Sequence, residues 1–339
     1  MNRDVSIGMK LRFTRWVYVC LVLAGSVQLA ASELVFAAAL EAYPARPIRM
    51  LVPHPAGGGN DILARLLGQR LHAEWGFPVI IDNRAGGNTI IATEIIAKAS
   101  PDGYTLILTS STHSVIPGFY PKLPYDPIGD FNAVGLIATS SPILVVHPSI
   151  AANGVRELIA WAKSRPGGLN YGSSGVSGSG HLAMELFKSK TGLQLTHVPY
   201  KGMAPVVSDL IAGNVSIMFG NPAPLLPHVR SGRLRALATA GSKRSQVIPE
   251  LPTIAESGLP GFIVSPYFGV LGPAQLPIQI VAKLNAEIRR VFQMPESRER
   301  LTALGFDAAP ETPERFMAMI KSEMELWGGL IRQNRIALE

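Results

Sequence analysis

Short apolar runs recur along this chain, each followed by a stretch with helical spacing, and that alternation leaves few folds open. The runs read as strands at Ile48–Pro53, Val79–Asp82, Thr105–Thr109, Val134–Ile137, Ile143–His147, Leu169–Tyr171, Thr196–Val198, Ser216–Phe219, Leu234–Ala240 and Phe268–Leu271. Most are rich in Ile, Leu and Val with little polar alternation, as strands covered on both faces are. Helical patterns lie between them. Asp61–Trp75 puts Ile62, Leu63, Leu66, Leu67 and Leu71 on one side and stops at Gly76. Thr89–Ala99 stops before the turn Ser100-Pro101-Asp102-Gly103. Arg156–Ser164 stops at Pro166-Gly167-Gly168, His181–Thr191 at Gly192 and Ala204–Ala212 at Gly213. Strand and helix in turn predict an α/β fold with mostly parallel sheets. Pro277–Leu338 reads as helical throughout, broken only by turns at Gly305 and Pro310–Pro313.

The first residues follow other rules. Arg3, Lys10, Arg12 and Arg15 precede an apolar run, Trp16–Ala31, and the small residues Ala37, Ala38 and Ala39 follow it. This is the layout of a cleaved secretory signal over residues 1–39, which marks the mature protein for export. A membrane anchor is the alternative for the same run. Met9 is a second candidate start. The single cysteine, Cys20, lies inside this segment, so the mature chain has no disulfide, thiol nucleophile or cysteine metal site. Its stability must come from a core, which the roughly 300 residues left after removal of 1–39 suffice to build. Removing the four basic and two acidic residues of 1–39 lowers the net charge from +7 to +5. The densest basic group is Arg230, Arg233, Arg235, Lys243 and Arg244, which reads as a solvated face. No basic run is interleaved with aromatics, which argues against nucleic acid as a partner.

A change of domain is expected at Thr139–Pro148, where Ser140-Ser141-Pro142 interrupts an extended run. A return is expected within Gly241–Phe262, rich in Pro, Gly and Ser. The first domain is then discontinuous, residues 43–142 plus 250–339, and the second spans residues 143–249. Two crossovers form a hinge, and a ligand would sit between the domains.

Four loops stand out. The first is Pro55-Ala56-Gly57-Gly58-Gly59-Asn60-Asp61, between a strand and a helix. Its glycines leave backbone N–H groups unshielded next to a helix N-terminus, which suits a carboxylate, directly or through water. A plain connecting turn, with Asn60 or Asp61 as the cap, is the other reading. The second runs from Asn170 to His181 and offers Ser173, Ser174 and Ser177 with several glycines. The third, Ser110-Ser111-Thr112-His113, places hydroxyls at the C-terminal end of a strand, where open α/β sheets bind ligands. The fourth, Val198-Pro199-Tyr200-Lys201-Gly202, and the segment Phe219-Gly220-Asn221-Pro222 end strands in the same way.

Enzymatic signatures are missing. A dinucleotide fingerprint would need glycine at Ile62, and no Gly-Lys-Ser/Thr follows the first loop. A hydrolase elbow fails at Ser174, where Val176 stands, and at Ser177, where Ser179 stands. The histidines at 54, 72, 113, 147, 181, 197 and 228 contain no pair at helical metal-ligand spacing, and no cofactor motif is found.

At this point an ordered set of motifs resembles one family. Tyr43-Pro44-x-Arg46-Pro47-Ile48-Arg49 and Val52-Pro53-His54-Pro55-Ala56-Gly57-Gly58-x-x-Asp61-x-x-Ala64-Arg65 are similar to the opening of the Bug-type solute receptors. These are the periplasmic substrate-binding proteins of tripartite tricarboxylate transporters. Val79-Ile80-Ile81-Asp82-Asn83-Arg84-Ala85-Gly86-Gly87, Pro101-Asp102-Gly103-Tyr104-Thr105-Leu106 and Tyr171-Gly172-Ser173-Ser174-Gly175 continue the match. Val198-Pro199-Tyr200-Lys201-Gly202 and Leu251-Pro252-Thr253-Ile254-Ala255-Glu256 complete it. The resemblance implies two α/β domains that close like a Venus flytrap over a carboxylate held by backbone groups and waters. It departs from the family at His54-Pro55-Ala56, where an aromatic-Pro-Pro is common. Further departures are Ser216, where Asp is usual, and the short loop Ala85-Gly86-Gly87-Asn88.

The ligand-binding set read from the chain is Pro55, Ala56, Gly57, Gly58, Asp61, Asn83, Ser110, Ser111, Thr112, Ser173, Ser174, Ser177, His181, Tyr200 and Asn221. The expectation is a monomeric receptor, without cofactor or catalysis, that takes a di- or tricarboxylate, aromatic acid or acidic amino acid. It would deliver this ligand to membrane permease subunits. An exported hydrolase using a serine of the second loop, and a sensory receptor with a signalling partner, are the alternative readings.

Overall fold

In the computed structural model, residues 43–165, 169–175 and 178–336 are described. The expected signal segment with Cys20, the turn at Pro166-Gly167-Gly168 and Ser177 lie outside the described residues. Ten strands form where the apolar runs predict them. β1 (Ile48–Val52), β2 (Val79–Asn83), β3 (Thr105–Ser110) and β4 (Phe131–Ser140) precede β5 (Ile143–Val146), β6 (Asn170–Ser173) and β7 (Thr196–Pro199). β8 (Ile217–Gly220), β9 (Arg235–Thr239) and β10 (Tyr267–Pro273) follow. An eleventh, β11 (Phe306–Glu311), stands in the region expected to be helical. Its sequence carries Pro310 and two alanines and lacks a strand pattern. It survives because it is an edge strand, paired only with β4 and irregular between Ala308 and Glu311, where a missing N–H donor costs little.

The strands make two sheets, ordered β11-β4-β10-β3-β1-β2 and β7-β6-β8-β5-β9. β1 lies parallel between β2 and β3, and β6 lies parallel between β7 and β8. The sheets are mixed rather than mostly parallel. β10 runs antiparallel to β3 and β4, β11 to β4, and β5 to β8 and β9. The reversals cluster at the strands where the chain leaves one sheet and enters the other.

Helices fill the connections. α1 (Gly59–Trp75) buries Leu63, Leu66, Leu67 and Leu71 and ends at Gly76, whose φ of 76° only glycine adopts readily. α2 (Ile90–Ala97), α4 (Val155–Lys163), α5 (Ser179–Thr191) and α6 (Met203–Ala212) lie within a few residues of their expected bounds. α3 (Thr112–Phe119) and α7 (Pro222–Arg230) were not expected. Each carries an internal proline, Pro117 and Pro227, and tertiary packing overrides the weak local propensity. α8 (Ile278–Gln293), α9 (Pro295–Ala303) and α10 (Pro313–Asn334) close the chain. None of the described helices is long and apolar enough to cross a membrane.

The chain passes between the sheets twice, at Ser141-Pro142 and over residues 240–266. The two passages run side by side. Ser140 N–H donates to the Pro266 carbonyl and Ala240 N–H to the Pro142 carbonyl, both at 2.8 Å. Asp307 of β11 joins them. It is buried and accepts from the Ser141 hydroxyl at 3.1 Å, the Ser245 hydroxyl at 3.0 Å and the Gln246 N–H at 2.9 Å.

Helix α10 supplies a third connection. Phe316 and Ile320 pack with Leu51, Ile107 and Tyr267 of the first sheet. Further along the same helix, Trp327, Leu330 and Ile331 join Leu144, Tyr171, Phe187 and Phe219 around the second. On that side α5 sits close on β8: a Cβ at Gly180 would run into the Phe219 carbonyl oxygen. Gly180→Ala is therefore expected to cost about 1–3 kcal/mol, seen as a lower urea midpoint. Gly329→Ala, whose added methyl meets open space, gains up to about 1 kcal/mol in the same measurement.

Candidate functional site

Parallel strands followed by helices leave their connecting loops at the strands' C-terminal ends. Here the loops after β1, β3, β6 and β7 all reach one cavity of about 580 Å³. The segment after β1 contributes His54, Pro55, Ala56, Gly58, Gly59 and Asn60, and the end of β3 contributes Ser110, Ser111 and Thr112. Across from them stand Ser174, Gly178 and Ser179 after β6, and Gly202 and Met203 after β7. Val264, Pro266 and Phe268 come from the second passage and β10, and Glu323 and Trp327 from α10.

Four helix N-termini therefore meet at the cavity: α1 after Gly58, α3 after Ser111, α5 after Gly178 and α6 after Gly202. Among the described residues, none of the four has a side-chain cap. First-turn amides that a serine or aspartate would normally satisfy are left for another acceptor. The helix dipoles add positive potential at the same ends. Among the described residues, the lining holds no lysine or arginine, and its ionisable residues are His54 and Glu323. Burial lowers the pKa of His54, which favours its neutral ring. An apolar belt of Val115, Leu182, Met203, Val264, Phe268 and Trp327 shares the lining. Gly59 brings α1 close to this belt: a Cβ there would lie 3.0 Å from the Phe306 ring, which packs edge-on to Phe268.

Of the residues singled out from sequence, Pro55, Ala56, Gly58, Ser110, Ser111, Thr112 and Ser174 line the cavity. Others stand behind its walls. Asp61 accepts from the Gly57 N–H at 2.9 Å, from Asn83 at 3.0 Å and from Arg65 at 2.9 Å. The Arg65 bond, with the Gly57 and Asn83 bonds, holds the Asp61 carboxyl below its ordinary range against the opposing effect of burial. Asn83 also donates to the His54 carbonyl at 3.1 Å. Asp61, Asn83 and Gly57, the last with φ of 84°, shape the loop from inside rather than facing the cavity.

The second wall has its own support. Ser173 is fully buried, with Oγ 2.7 Å from His197 Nε2 and 3.1 Å from the Gly175 carbonyl. His181 stacks on His197 with ring centroids 4.2 Å apart, and His197 stacks on Tyr171 at 4.7 Å. Burial, reinforced by His181, lowers His197 to about 4, so this ring is neutral near pH 7. The Tyr171 hydroxyl donates to Glu185 at 2.5 Å, and Lys188 reaches the same oxygen at 2.7 Å. Tyr200 donates to Asp209 at 2.5 Å. Asn221 caps α7 by accepting from Ala223 N–H at 3.0 Å and donates to Ser140 at 3.4 Å. Ser173, His181, Tyr200 and Asn221 thus have structural partners and do not line the cavity, and Ser177 lies outside the described residues. Among the described residues no cluster of three or more His, Cys, Asp or Glu is arranged to hold a metal ion.

Glu323 has no counterpart in the sequence reading, where a glutamate on an amphipathic helix looks solvated. Ser111 and Trp327 hydrogen-bond to its carboxyl group. Its Oε2 atom is buried and has no partner among the described residues. Burial pushes the group up to about 8, against the pull of those two bonds.

Comparison with known proteins adds three findings. The sequence profile described as "Tripartite tricarboxylate transporter family receptor" matches residues 63–336. Protein BugT of Bordetella pertussis is 37% identical over 301 residues, covering 88% of this chain and 92% of its own. Among solved structures, an R. palustris protein with adipate superposes with a TM-score of 0.75 at 35% identity, covering 88% of this chain and 100% of that one. MatC from Rhodopseudomonas palustris with bound malate gives 0.69 at 30% identity, covering 85% and 100%.

The carboxyl of Glu323 keeps its proton in the folded state to about pH 8, while an unfolded glutamate loses it near pH 4.3. Its contribution to stability is therefore greatest below the unfolded value and falls as pH rises between the two, by up to about 1.4 kcal/mol per pH unit. Urea unfolding from about pH 5 to 9 checks this: Glu323→Gln should overtake the unsubstituted protein as pH rises, and parallel curves would contradict it.

Proposed function

The chain belongs to the tripartite tricarboxylate transporter receptor family, and from that premise we propose that it binds a small organic carboxylate in the cavity between its two sheets. The observation that carries this reading is the meeting of four helix N-termini without side-chain caps in a cavity whose described lining has no lysine or arginine. Such a site recognises an anion by backbone amides and hydroxyls, and its apolar belt takes the hydrocarbon part of an organic acid. The adipate and malate of the two solved relatives have this chemistry, and both acids head the candidates for this chain.

In this reading Pro55, Ala56 and Gly58 hold the carboxylate from one side, with Ser110, Ser111 and Thr112. Ser174 and the start of α5 meet it from the other. Residues 43–142 with 250–339, and residues 143–249, close over it about the two passages, and the closed form is passed to permease subunits at the membrane. The mature protein works in the periplasm after loss of residues 1–39. No catalysis is proposed: Ser173, which pairs with His197 beside the second loop, is fully buried and does not line the cavity.

Thermal unfolding of the mature chain against mono-, di- and tricarboxylates, aromatic acids and acidic amino acids tests the ligand class. A binder at about a hundred times its dissociation constant adds roughly 2.7 kcal/mol, a shift of some degrees. A flat response to every acid would overturn the carboxylate reading. Gly58→Val should abolish the shift and leave the unliganded protein folded, because a Cβ there comes no closer than 3.5 Å to its surroundings and the backbone has φ of −78°. Retained binding would remove this loop from the site. Delivery is tested by deleting the coding region. Unchanged uptake of the acid that binds would sink the transport role.

A further inference from the structure

We propose that Glu323 forms part of the ligand wall as a neutral, proton-bearing acid, and that a carboxylate binds only while that proton is in place. For the ligand class, this inference rests on the receptor reading above.

Among the described residues, Glu323 is the carboxyl group in the lining of the cavity, and no lysine or arginine there offsets it. Its partners, Ser111 and Trp327, are uncharged donors, and its buried Oε2 has no partner among the described residues. Protonated, the group adds a donor beside the helix N-termini. Ionised, it opposes a ligand carboxylate twice. It repels the ligand's charge across a poorly solvated space, and it draws on the potential of the same helix ends. Ser111 shows the overlap, since it both hydrogen-bonds to Glu323 and precedes α3. Protonated Glu323 thus donates to a ligand oxygen, and the proton stays on Glu323.

The surrounding ionisable groups leave this balance intact. On α3, His113 is buried, lies 2.8 Å from the Pro127 carbonyl and is lowered to about 4. On β10, the Tyr267 phenol pairs with Ser114 at 2.7 Å and is held protonated by burial, with the Glu323 charge adding to the effect. β4 contributes no ionisable side chain. From the first loop, His54 is pushed toward its neutral form by burial. Glu323 and Trp327 also line a second cavity of about 650 Å³, which Lys190 of α5, Lys243 and Glu311 share. Both lysines are exposed. This second cavity gives the Glu323 proton a route that a bound ligand does not block.

Calorimetric titration of the mature protein with adipate and with malate, from about pH 6.5 to 9.5, tests the coupling. Both acids are fully ionised throughout that range. The dissociation constant should be flat below about pH 7 and rise toward tenfold per pH unit above about 8. Titrations at about pH 9 in buffers of different ionisation heat should show close to one proton taken up per ligand. Glu323→Gln should remove both effects. A flat profile in the unsubstituted protein, or an equal slope in the variant, would overturn the proposal. If neither acid binds, the carboxylate reading has failed for these probes, and the proton itself is read without ligand. NMR of protein labelled at its glutamate carboxyl carbons, with Glu323 identified by its loss in Glu323→Gln, should then show a midpoint near 8. A midpoint in the ordinary glutamate range would overturn the proposal by itself.

Discussion

Both passages of chain between the sheets end on one buried carboxylate. Asp307 takes a hydroxyl from Ser141 in the first passage, and a hydroxyl and an amide from Ser245 and Gln246 in the second. Removing it would leave three donors facing a dry interior, which is costlier than the loss of three exposed bonds. The consequence reaches beyond β11. With the two passages held side by side, the C-terminal ends of β1 and β3 share one space with those of β6 and β7. The cavity is thus a product of how the sheets are joined. Asp307 also sits on the strand with the weakest sequence pattern, so an edge strand with little propensity of its own is retained by what its second residue accepts.

The electrostatics of the cavity follow from the same arrangement. A lysine or arginine would hold an anion strongly and demand its own hydration when the site is empty. Uncapped helix ends carry partial charges that are fixed by the backbone and need no side-chain ordering on binding. The design makes the site sensitive to any full charge placed nearby, and Glu323 is where that sensitivity concentrates. Behind the walls the polar groups are paired. Asp61 with Asn83 and Arg65 fixes the first loop, and the Tyr171–His197–His181 stack stands under the second. The contrast between paired groups behind the surface and helix starts without side-chain caps on it underlies the proposed recognition of an anion.

Much of this was legible in the sequence. Ten of the strands announce themselves as apolar runs, and the glycine and serine loops mark where their helices begin. That the first loop would border a cavity was also readable, because its glycines and prolines leave backbone exposed at a strand end. Direction was harder. Sheets expected to be mostly parallel are mixed, because reversal at β4, β5 and β10 is set by where the chain crosses, and side-chain pattern does not encode it. The side chains of the expected set divide by position. Asp61, Asn83, His181, Tyr200 and Asn221 have partners inside the fold and do not line the cavity, since a polar side chain near a buried loop must satisfy its own hydrogen bonds first. Glu323 and Trp327, which line it, had no signal in the sequence. They share one face of α10 four residues apart, and only the packing of that helix against both sheets makes the face a cavity wall.

That packing bears on how such a molecule moves. Phe316 and Ile320 at one end of α10 belong with the first sheet, and Trp327, Leu330 and Ile331 at the other end with the second. Glu323 lies between the two groups. A change in the angle between the sheets must be absorbed either at the passages, where backbone bonds run between neighbouring extended segments, or along this helix. Helix interiors resist bending unless their ladder is interrupted, and Gly328-Gly329 follow directly after Trp327. The segment from Glu323 to Gly329 therefore joins three properties in two turns of helix: a carboxyl that favours its proton, the aromatic wall of the cavity and the most deformable residues of the connection. A ligand that settles against Glu323 and Trp327 touches the point where relative movement of the sheets is felt most directly, which gives a physical route from occupancy of the cavity to the angle between the two sheets.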